Sequence, residues 1–333
     1  MKMIDFEAHC YIPEFTGKFD KAAIDEANKH LPDEKKITIV DEIIDLAEGR
    51  LEKMDKYGIS MQILSFSSGI SHMGKEEAIE TSRLANDHMY EAIKRFPGRF
   101  GAFAQLPEND PDAAIYELER CMGEYGFFGW NTFSNYGEAW LDDEFYFPIL
   151  ERASQLGAPV YIHPDFPGDV GFPRLLGLGM SLYGGVGYTF DTAATLLRLM
   201  YNGTFDRLPD LKVIVGHLGE GIPFILDRLV VKDGEGVAPK HDKNRKNVEL
   251  NEKSIRHYFD NNVYVTNSGN FSKPAVACTK DVLGIDRMLF GSDYPYENMK
   301  IATDFTRDCG LSEEELEKLC YKNAESAFDY FKR

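Results

Sequence analysis

The chain has 333 residues, 43% of them hydrophobic, and a formal net charge of −18. This length allows one large domain or two small ones with a sizeable core. A chain with this much negative charge would repel the phosphate backbone of DNA or RNA, so we expect no nucleic-acid partner. The sequence has no apolar run long enough to span a membrane, no secretory pattern, and five scattered cysteines without a C-x-x-C pair. We therefore expect a cytoplasmic protein with free thiols and no membrane association.

Eight short apolar runs alternate with longer amphipathic segments. The predicted strands are Met3–Phe6, Gln62–Phe66, Phe100–Gln105, Gly129–Phe133, Pro159–His163, Lys212–Gly216, Val263–Thr266 and Met288–Gly291. Helical periodicity marks Glu76–Phe96, Asp112–Tyr125, Glu144–Leu156 and Phe271–Leu283 between them. Repeated strand–helix units predict the α/β class and a closed parallel (β/α)8 TIM barrel. A doubly wound open sheet is the alternative, but no glycine-rich fingerprint follows the first strand.

Two segments are longer than a minimal barrel needs. Residues 16–49 are charged and predict a helical insertion, and residues 164–187 contain seven glycines and three prolines. Both follow the C-terminal end of a strand, so both should overhang the mouth of the barrel. The last segment, Ser312–Lys332, predicts two helices, and Ser312 with Glu315 has the spacing of a capping box. No repeat or linker divides the chain, so we expect a single domain over residues 1–333.

Ionisable side chains lie at the ends of several predicted strands. They are Glu7 and His9 at the end of the first strand, His163 at the end of the fifth, His217 with Glu220 after the sixth, and Asp293 after the eighth. Glu7 and His9 are two residues apart and therefore share one face of a strand. Because the C-terminal ends of barrel strands surround the active site, we expect all these side chains to converge there.

Each of these residues also has a purely structural interpretation. His163 could be a hydrogen-bonded end of a strand before Pro164, His217 could cap a turn, and Asp293 could be the N-cap of a helix. Their occurrence at the same end of separate strands favours a common site. The remaining histidines lie in polar surroundings and are expected at the surface: His30, His72, His88, His241 and His257.

The sequence around these residues resembles the amidohydrolase superfamily, and within it the decarboxylase branch of hydroxybenzoate and 2-amino-3-carboxymuconate-6-semialdehyde decarboxylases. The resemblance runs nearly end to end. It rests on EAH at Glu7–His9, YIHP at Tyr161–Pro164, the long block Leu197–Leu229, TNSGNF at Thr266–Phe271, LFGSDYPYEN at Leu289–Asn298 and NAESAF at Asn323–Phe328. The block Leu197–Leu229 is the most specific part. The E-x-H opening resembles the hydroxybenzoate decarboxylases, whereas H-x-H is usual elsewhere in the superfamily.

The resemblance implies a metal site and its ligands. Glu7, His9, His163 and Asp293 would hold one divalent ion, and two imidazoles with two carboxylates suit Zn²⁺ or Mn²⁺. His217, paired with Glu220, would lie beside the substrate.

Two further residues are candidates for substrate contact. Arg228 lies eleven residues after His217, where relatives place an arginine that reaches a neighbouring subunit's site and binds substrate carboxylate. A surface arginine is the alternative interpretation. Sharing of sites between subunits implies a homodimer or homotetramer. Asn131, at the end of the fourth predicted strand, is a weaker candidate for contact with the substrate ring.

The implied activity is non-oxidative, reversible decarboxylation of an aromatic acid of the ortho-hydroxybenzoate type. An ionised ortho hydroxyl would push electron density to the carboxylated carbon, and Asp293 would deliver a proton there. Glu220 would fix the tautomer of His217, which hydrogen-bonds the substrate. The rival is hydrolysis of a lactone or amide, with Asp293 as the base that activates water. The E-x-H motif favours decarboxylation, and a non-catalytic barrel would leave His217 and Glu220 without a role.

Overall fold

Eight parallel strands form one sheet in chain order, and each strand pairs with the next. The strands are β1 (Ile4–Cys10), β2 (Met61–Phe66), β3 (Phe100–Ala104), β4 (Gly129–Phe133), β5 (Val160–His163), β6 (Val213–Val215), β7 (Val263–Thr266) and β8 (Met288–Leu289). Phe6 N donates to Phe290 O at 2.9 Å and Asp293 N donates to Glu7 O at 2.8 Å, which brings the eighth strand back to the first. The predicted (β/α)8 TIM barrel is therefore confirmed.

The computed structural model describes residues 1–18, 20–30, 38–70, 72–165, 182–234 and 251–332. The helices are α1 (Lys21–Asn28), α2 (Ile39–Ile44), α3 (Glu48–Tyr57), α4 (Lys75–Arg95), α5 (Pro111–Arg120), α6 (Phe147–Leu156), α7 (Thr189–Tyr201), α8 (Thr204–Arg207), α9 (Ile222–Gly234), α10 (Ile255–Asn261), α11 (Lys273–Leu283), α12 (Met299–Arg307), α13 (Glu313–Glu317) and α14 (Asn323–Ala327). Most of them connect consecutive strands and cover the outside of the barrel.

The predicted boundaries differ from the structure in a few places. The first strand was predicted to end at Phe6, but β1 continues to Cys10 and therefore includes Glu7 and His9. The predicted insertion at residues 16–49 contains α1 and α2, with residues 19 and 31–37 outside the described part of the chain. Most of the second insertion, residues 166–181, also lies outside it.

The C-terminal segment was predicted as two helices. Helices α13 and α14 are joined through a π-helical turn at Lys318–Lys322, and a 3₁₀ turn follows at Asp329–Lys332. The predicted capping box is present, because the side chains of Ser312 and Glu315 each accept a hydrogen bond from the other's backbone. The two predicted helices are thus present as α13 and α14, with the π-helical turn between them and not a loop.

The predictions for the cysteines and for the histidines outside the site can also be compared with the structure. All five cysteines are free, as predicted. Within the described residues, no helix combines the length and hydrophobicity that crossing a bilayer requires. Of the histidines expected at the surface, His30, His72 and His257 are exposed and His241 lies outside the described residues. The prediction for His88 is wrong: it is half-buried on α4, and burial lowers its pKa.

Aromatic side chains fill the N-terminal half of the barrel. Phe6 packs edge-on against Phe128 with ring centroids 5.3 Å apart, and Phe128 packs against Phe328 at 5.0 Å. Tyr161 and Phe103 continue this inner layer. This packing closes that end of the barrel.

A bulge in β1 brings Glu7 and His9 into the interior. Asp5 pairs with Gln62 of β2 and Ala8 pairs with Leu64, so β1 contains one extra residue between these pairs. The extra residue shifts the alternation of inward and outward side chains. As a result, Phe6 packs in the aromatic layer while Glu7, its neighbour, also points inward.

Candidate active site

Four side chains converge at the C-terminal mouth of the barrel. Ligand atoms of Glu7, His9, His163 and Asp293 all lie within 4.8 Å of one another. His9 Nε2 is 3.2 Å from Asp293 Oδ1, and His163 Nε2 is 3.8 Å from Glu7 Oε1. The imidazole rings of His9 and His163 meet edge to face with centroids 4.7 Å apart. The structure thus brings together the four residues that were predicted as metal ligands.

Both imidazoles have their Nδ1 atoms engaged outside the cluster. His163 Nδ1 donates to Pro164 O at 2.7 Å, and His9 Nδ1 lies 3.0 Å from Ser65 Oγ. Their Nε2 atoms therefore face the cluster, and a protonated Nδ1 leaves the Nε2 lone pair of His163 available. Burial, reinforced by the neighbouring His9, lowers the pKa of His163 well below its ordinary value and keeps it in the neutral form that binds metals.

The two oxygens of Glu7 have different surroundings. Oε2 accepts hydrogen bonds from the hydroxyls of Tyr161 and Ser268 and from Thr266 Oγ1 at 3.0 Å. Oε1 is buried and has no hydrogen-bond partner within the described residues. A buried carboxylate oxygen without a partner is costly. A cation between this oxygen and the imidazole of His163 would satisfy it, so the donor set fits a divalent ion.

A left-handed turn follows β6. All φ angles over His217–Gly221 are positive, between 52° and 81°. Such a backbone costs about 1–2 kcal/mol for each residue other than glycine and is most often found at functional sites. Thr279 Oγ1 supports the turn through a 3.2 Å hydrogen bond to Leu218 O. The turn places His217 Nε2 3.9 Å from an oxygen of Asp293.

Charges around His217 and Asp293 set their protonation. His217 Nδ1 lies 2.6 Å from Glu220 Oε1. Burial alone would lower the pKa of His217, but Glu220 and Glu7 raise it well above its ordinary value. Burial alone would raise the pKa of Asp293, but the neighbouring imidazoles of His217 and His9 outweigh burial and lower it. The arrangement therefore makes His217 a hydrogen-bond donor toward the mouth and keeps Asp293 ionised.

Close packing and aromatic rings shape the rest of the mouth. Gly269 has φ 59°, and a methyl group there would lie 2.7 Å from His217 Cδ2 and 3.1 Å from Asp293 Oδ2. No larger residue fits without moving His217. The ring of Tyr296 lies 5.3 Å from the ring of His9, and the ring of Phe133 lies 5.8 Å from that of His163. These rings flank the cluster on two sides.

Several residues of the site were not singled out by sequence reasoning. They are Ser65, Tyr161, Thr266, Ser268 and Gly269, which support or border the predicted ligands. Tyr161 belongs to the YIHP motif, and Thr266, Ser268 and Gly269 belong to the TNSGNF motif. These two motifs could therefore have identified the four residues as part of the site. Ser65 had no such signal, because a serine within an apolar strand does not reveal its partner.

The two candidates for substrate contact have different positions. Asn131 lies in the middle of β4 and not, as was predicted, at its end. It is buried, pairs in register with Tyr161, and its Oδ1 has no hydrogen-bond partner among the described residues. Arg228 is exposed on α9, one turn after Phe224, whose exposed fraction is 84%. Arg228 is therefore not part of the cluster formed by its own chain.

A parallel barrel with carboxylates and imidazoles at its C-terminal mouth defines the class of metal-binding (β/α)8 proteins. Within this class, residues 8–329 match the family model described as Amidohydrolase, and the chain belongs to that family. The predicted resemblance is thus confirmed over nearly the whole chain.

Individual members of the family that are similar to this chain include decarboxylases of aromatic acids. The chain is 34% identical over 313 residues to γ-resorcylate decarboxylase from Polaromonas sp., with 90% of this chain and 92% of the relative covered. It superposes with a TM-score of 0.80 and 30% identity on a dihydroxybenzoic acid decarboxylase from Polaromonas sp. with bound manganese and the inhibitor 2-nitroresorcinol, covering 98% and 97% of the two chains. A 5-carboxyvanillate decarboxylase from Novosphingobium aromaticivorans, complexed with manganese and 4-hydroxy-3-methoxy-5-nitrobenzoic acid, gives a TM-score of 0.85 at 29% identity, covering 99% and 96%.

These comparisons bear on the predicted cofactor. Both solved relatives contain manganese, and the described part of the present chain contains a cluster of two imidazoles and two carboxylates that could hold one ion. The prediction of a divalent metal cofactor is confirmed by these two findings together.

Proposed function

We propose that this protein is a metal-dependent carboxy-lyase that decarboxylates an aromatic acid of the ortho-hydroxybenzoate type. Glu7, His9, His163 and Asp293 would hold one Zn²⁺ or Mn²⁺ ion. The observation that carries the proposal is the unpartnered Oε1 of Glu7, which lies 3.8 Å from His163 Nε2 and 3.9 Å from His217 Nε2. Relatives that act on hydroxybenzoates support the choice of substrate class.

Substrate binding would combine the cation with groups of the chain. When bound, a divalent cation would draw the carboxylate and phenolic oxygens of the acid and stabilise their negative charge. His217 would donate a hydrogen bond from Nε2 to a substrate oxygen, while Glu220 holds its Nδ1 proton. Phe133 and Tyr296 would lie on either side of a flat ring, and Asn131 would meet a ring substituent through its unpartnered Oδ1.

Asp293 would transfer the proton that replaces the carboxyl group on the ring carbon. Decarboxylation exchanges a carbon–carbon bond for a carbon–hydrogen bond, so one proton must reach the ring carbon. Because Asp293 starts as a carboxylate, it would first take the proton of the ortho hydroxyl and then give it to the carboxylated carbon. The electron pair of the broken carbon–carbon bond restores the aromatic ring, CO₂ leaves, and water reprotonates the phenoxide.

Solvent exchange tests this function. The reverse half of the reaction would exchange one ring hydrogen of the decarboxylated phenol with deuterium from D₂O, which NMR detects. We expect the metal-loaded protein to catalyse exchange only at the carbon that carries the carboxyl group in the substrate. Opening of a lactone or amide, without exchange for any phenol, would establish the hydrolase alternative instead.

A further inference from the structure

An arginine is fully buried behind the predicted metal site. Arg50, on α3, has an exposed fraction of 0%. Its Nη1 and Nη2 both donate to the backbone oxygen of His9 at 3.0 Å, and its Nε donates to Gln62 Oε1 at 2.8 Å. Its guanidinium also lies 4.8 Å from the ring centre of Tyr294, the residue after Asp293. A buried cation thus contacts the backbone of one ligand and the neighbour of another.

The contacts of Arg50 continue to a third ligand. Gln62 Nε2 donates to Asp5 Oδ2 at 2.8 Å, and Asp5 Oδ1 accepts from the backbone nitrogen of Glu7 at 3.2 Å. Asp5 also accepts from the backbone nitrogen of Ser292, the residue before Asp293, at 2.8 Å. We call the hydrogen-bonded series of Arg50, Gln62 and Asp5 the β1 support. It connects the backbone nitrogen of Glu7 to the backbone oxygen of His9.

The β1 support coincides with the bulge of β1. The extra residue lies between the pairs formed by Asp5 and Ala8, and Asp5 accepts the hydrogen bond of the Glu7 amide within this irregular stretch. Both inward ligands of β1 depend on the bulge, because regular alternation would place Phe6 and Glu7 on opposite faces. The support fixes the backbone on both sides of this feature.

We propose that Arg50, Gln62 and Asp5 are positioning residues that set the spacing of Glu7 and His9 and thereby the affinity of the site for its metal ion. The inference rests on the metal site of the proposed function. Buried charged groups can often be replaced by well-packed apolar side chains without loss of stability, so stability alone does not account for a buried arginine. Here the hydrogen bonds of Arg50 and Asp5 are directed at the backbone of His9 and Glu7, the two ligands on β1.

Gln62→Met is the most informative variant, because it keeps the length of the side chain and removes its hydrogen bonds to Arg50 and Asp5. We expect Mn²⁺ affinity, measured by equilibrium dialysis without substrate, to fall on the order of 10- to 100-fold, the usual effect of removing a partner that orients ligands. The electron paramagnetic resonance spectrum of bound Mn²⁺ should change its zero-field splitting. Arg50→Lys, which can still reach His9 O, should retain more affinity than Arg50→Met.

Arg120→Met provides a matched control. Arg120, on α5, also forms a partly buried network, with Glu117 at 2.5 Å and Asp87 at 2.7 Å, away from the site. We expect it to lower the melting temperature while leaving Mn²⁺ affinity and the spectrum unchanged. If folded Gln62→Met and Arg50→Met bind Mn²⁺ with wild-type affinity and spectrum, the positioning role is wrong.

A second comparison separates this inference from the proposed function. His163→Ala should abolish Mn²⁺ binding; if it does not, the ligand assignment fails and the positioning role fails with it. A different outcome is that His163→Ala loses the ion but the metal-loaded wild type releases no CO₂ from any acid. The proposed activity would then fail, while an effect of Gln62→Met on metal affinity would still support the positioning role.

Discussion

Glu7 and Asp293 are carboxylates of the same cluster, but their surroundings suit them to different roles. The side chain of Glu7 is 1% exposed, and three hydroxyl groups hold one of its oxygens. The side chain of Asp293 is 14% exposed and lies against His9 and His217. These surroundings suit Glu7 to the proposed role of a fixed ligand, whereas Asp293 has the access to the mouth that a proton carrier needs.

Replacing Asp293 tests this division of roles. Asp293→Asn keeps the size and one oxygen donor but removes the transferable proton, so kcat should fall on the order of 10²- to 10⁴-fold while metal remains bound. Steady-state kinetics and metal analysis of the same sample would measure both. Equal rates of ring-hydrogen exchange in wild type and metal-loaded Asp293→Asn would instead make His217 the candidate acid.

His217 is expected to act on the substrate and not as a ligand. His217→Asn removes the charge that Glu220 and Glu7 stabilise, so turnover should slow by roughly 10- to 100-fold, the worth of about 1.5–3 kcal/mol for a hydrogen bond to a charged group. Its metal content should equal that of wild type, as measured by mass spectrometry. Loss of the ion would show that His217 belongs to the coordination sphere.

At the scale of elements, the loop after β7 controls where His217 sits. Gly269→Ala would place a methyl group 2.7 Å from His217 Cδ2, at a φ of 59°. We expect at least a 10-fold loss of kcat, because a shift of about 1 Å in a catalytic side chain is costly. The matched control is Gly126→Ala, which has φ 65° but nothing within 4 Å of the added methyl.

Both glycine variants should lose stability in thermal unfolding, since both force a non-glycine residue to positive φ, and Gly269→Ala should lose more because its methyl is also crowded. Only Gly269→Ala should lose activity. A similar fall in activity for Gly126→Ala would mean that backbone strain, and not crowding of His217, accounts for the effect.

The elements also show what the sequence could reveal. Strand positions and the strand-end residues His163 and Asp293 were predictable, because apolar runs and polar ends have direct patterns. The bulge in β1 and the left-handed turn at His217–Gly221 were not, because both depend on contacts distant in the chain. The partners that stabilise them, such as Arg50 and Thr279, lie on helices whose local patterns indicate only amphipathic character.

At the scale of the whole molecule, α9 presents the feature most relevant to assembly. Phe224 is 84% exposed and Arg228 is exposed one turn later. We predict a homodimer or homotetramer in which Arg228 reaches the site of the neighbouring subunit. Phe224→Asp should shift sedimentation toward monomer, and Arg228→Ala should raise KM by roughly 10- to 100-fold, the worth of a charged hydrogen bond.

The control for assembly is Tyr116→Asp on α5, since Tyr116 is 70% exposed but lies on a different helix. It should leave sedimentation unchanged. A wild-type monomer that keeps full activity at assay dilution would contradict the shared site and leave Arg228 an ordinary surface residue.

The proposed activity of this protein is the metal-dependent loss of a carboxyl group. The most direct measurement is CO₂ release across a panel of ortho-hydroxybenzoates, made on one preparation as purified, after removal of metal, and after addition of Mn²⁺ or Zn²⁺. We predict release from at least one acid, with about one ion per chain, loss of activity with the metal, and recovery when it is restored. CO₂ release that is unaffected by removal of the metal, or no release from any acid by protein with a full complement of metal, would contradict the account.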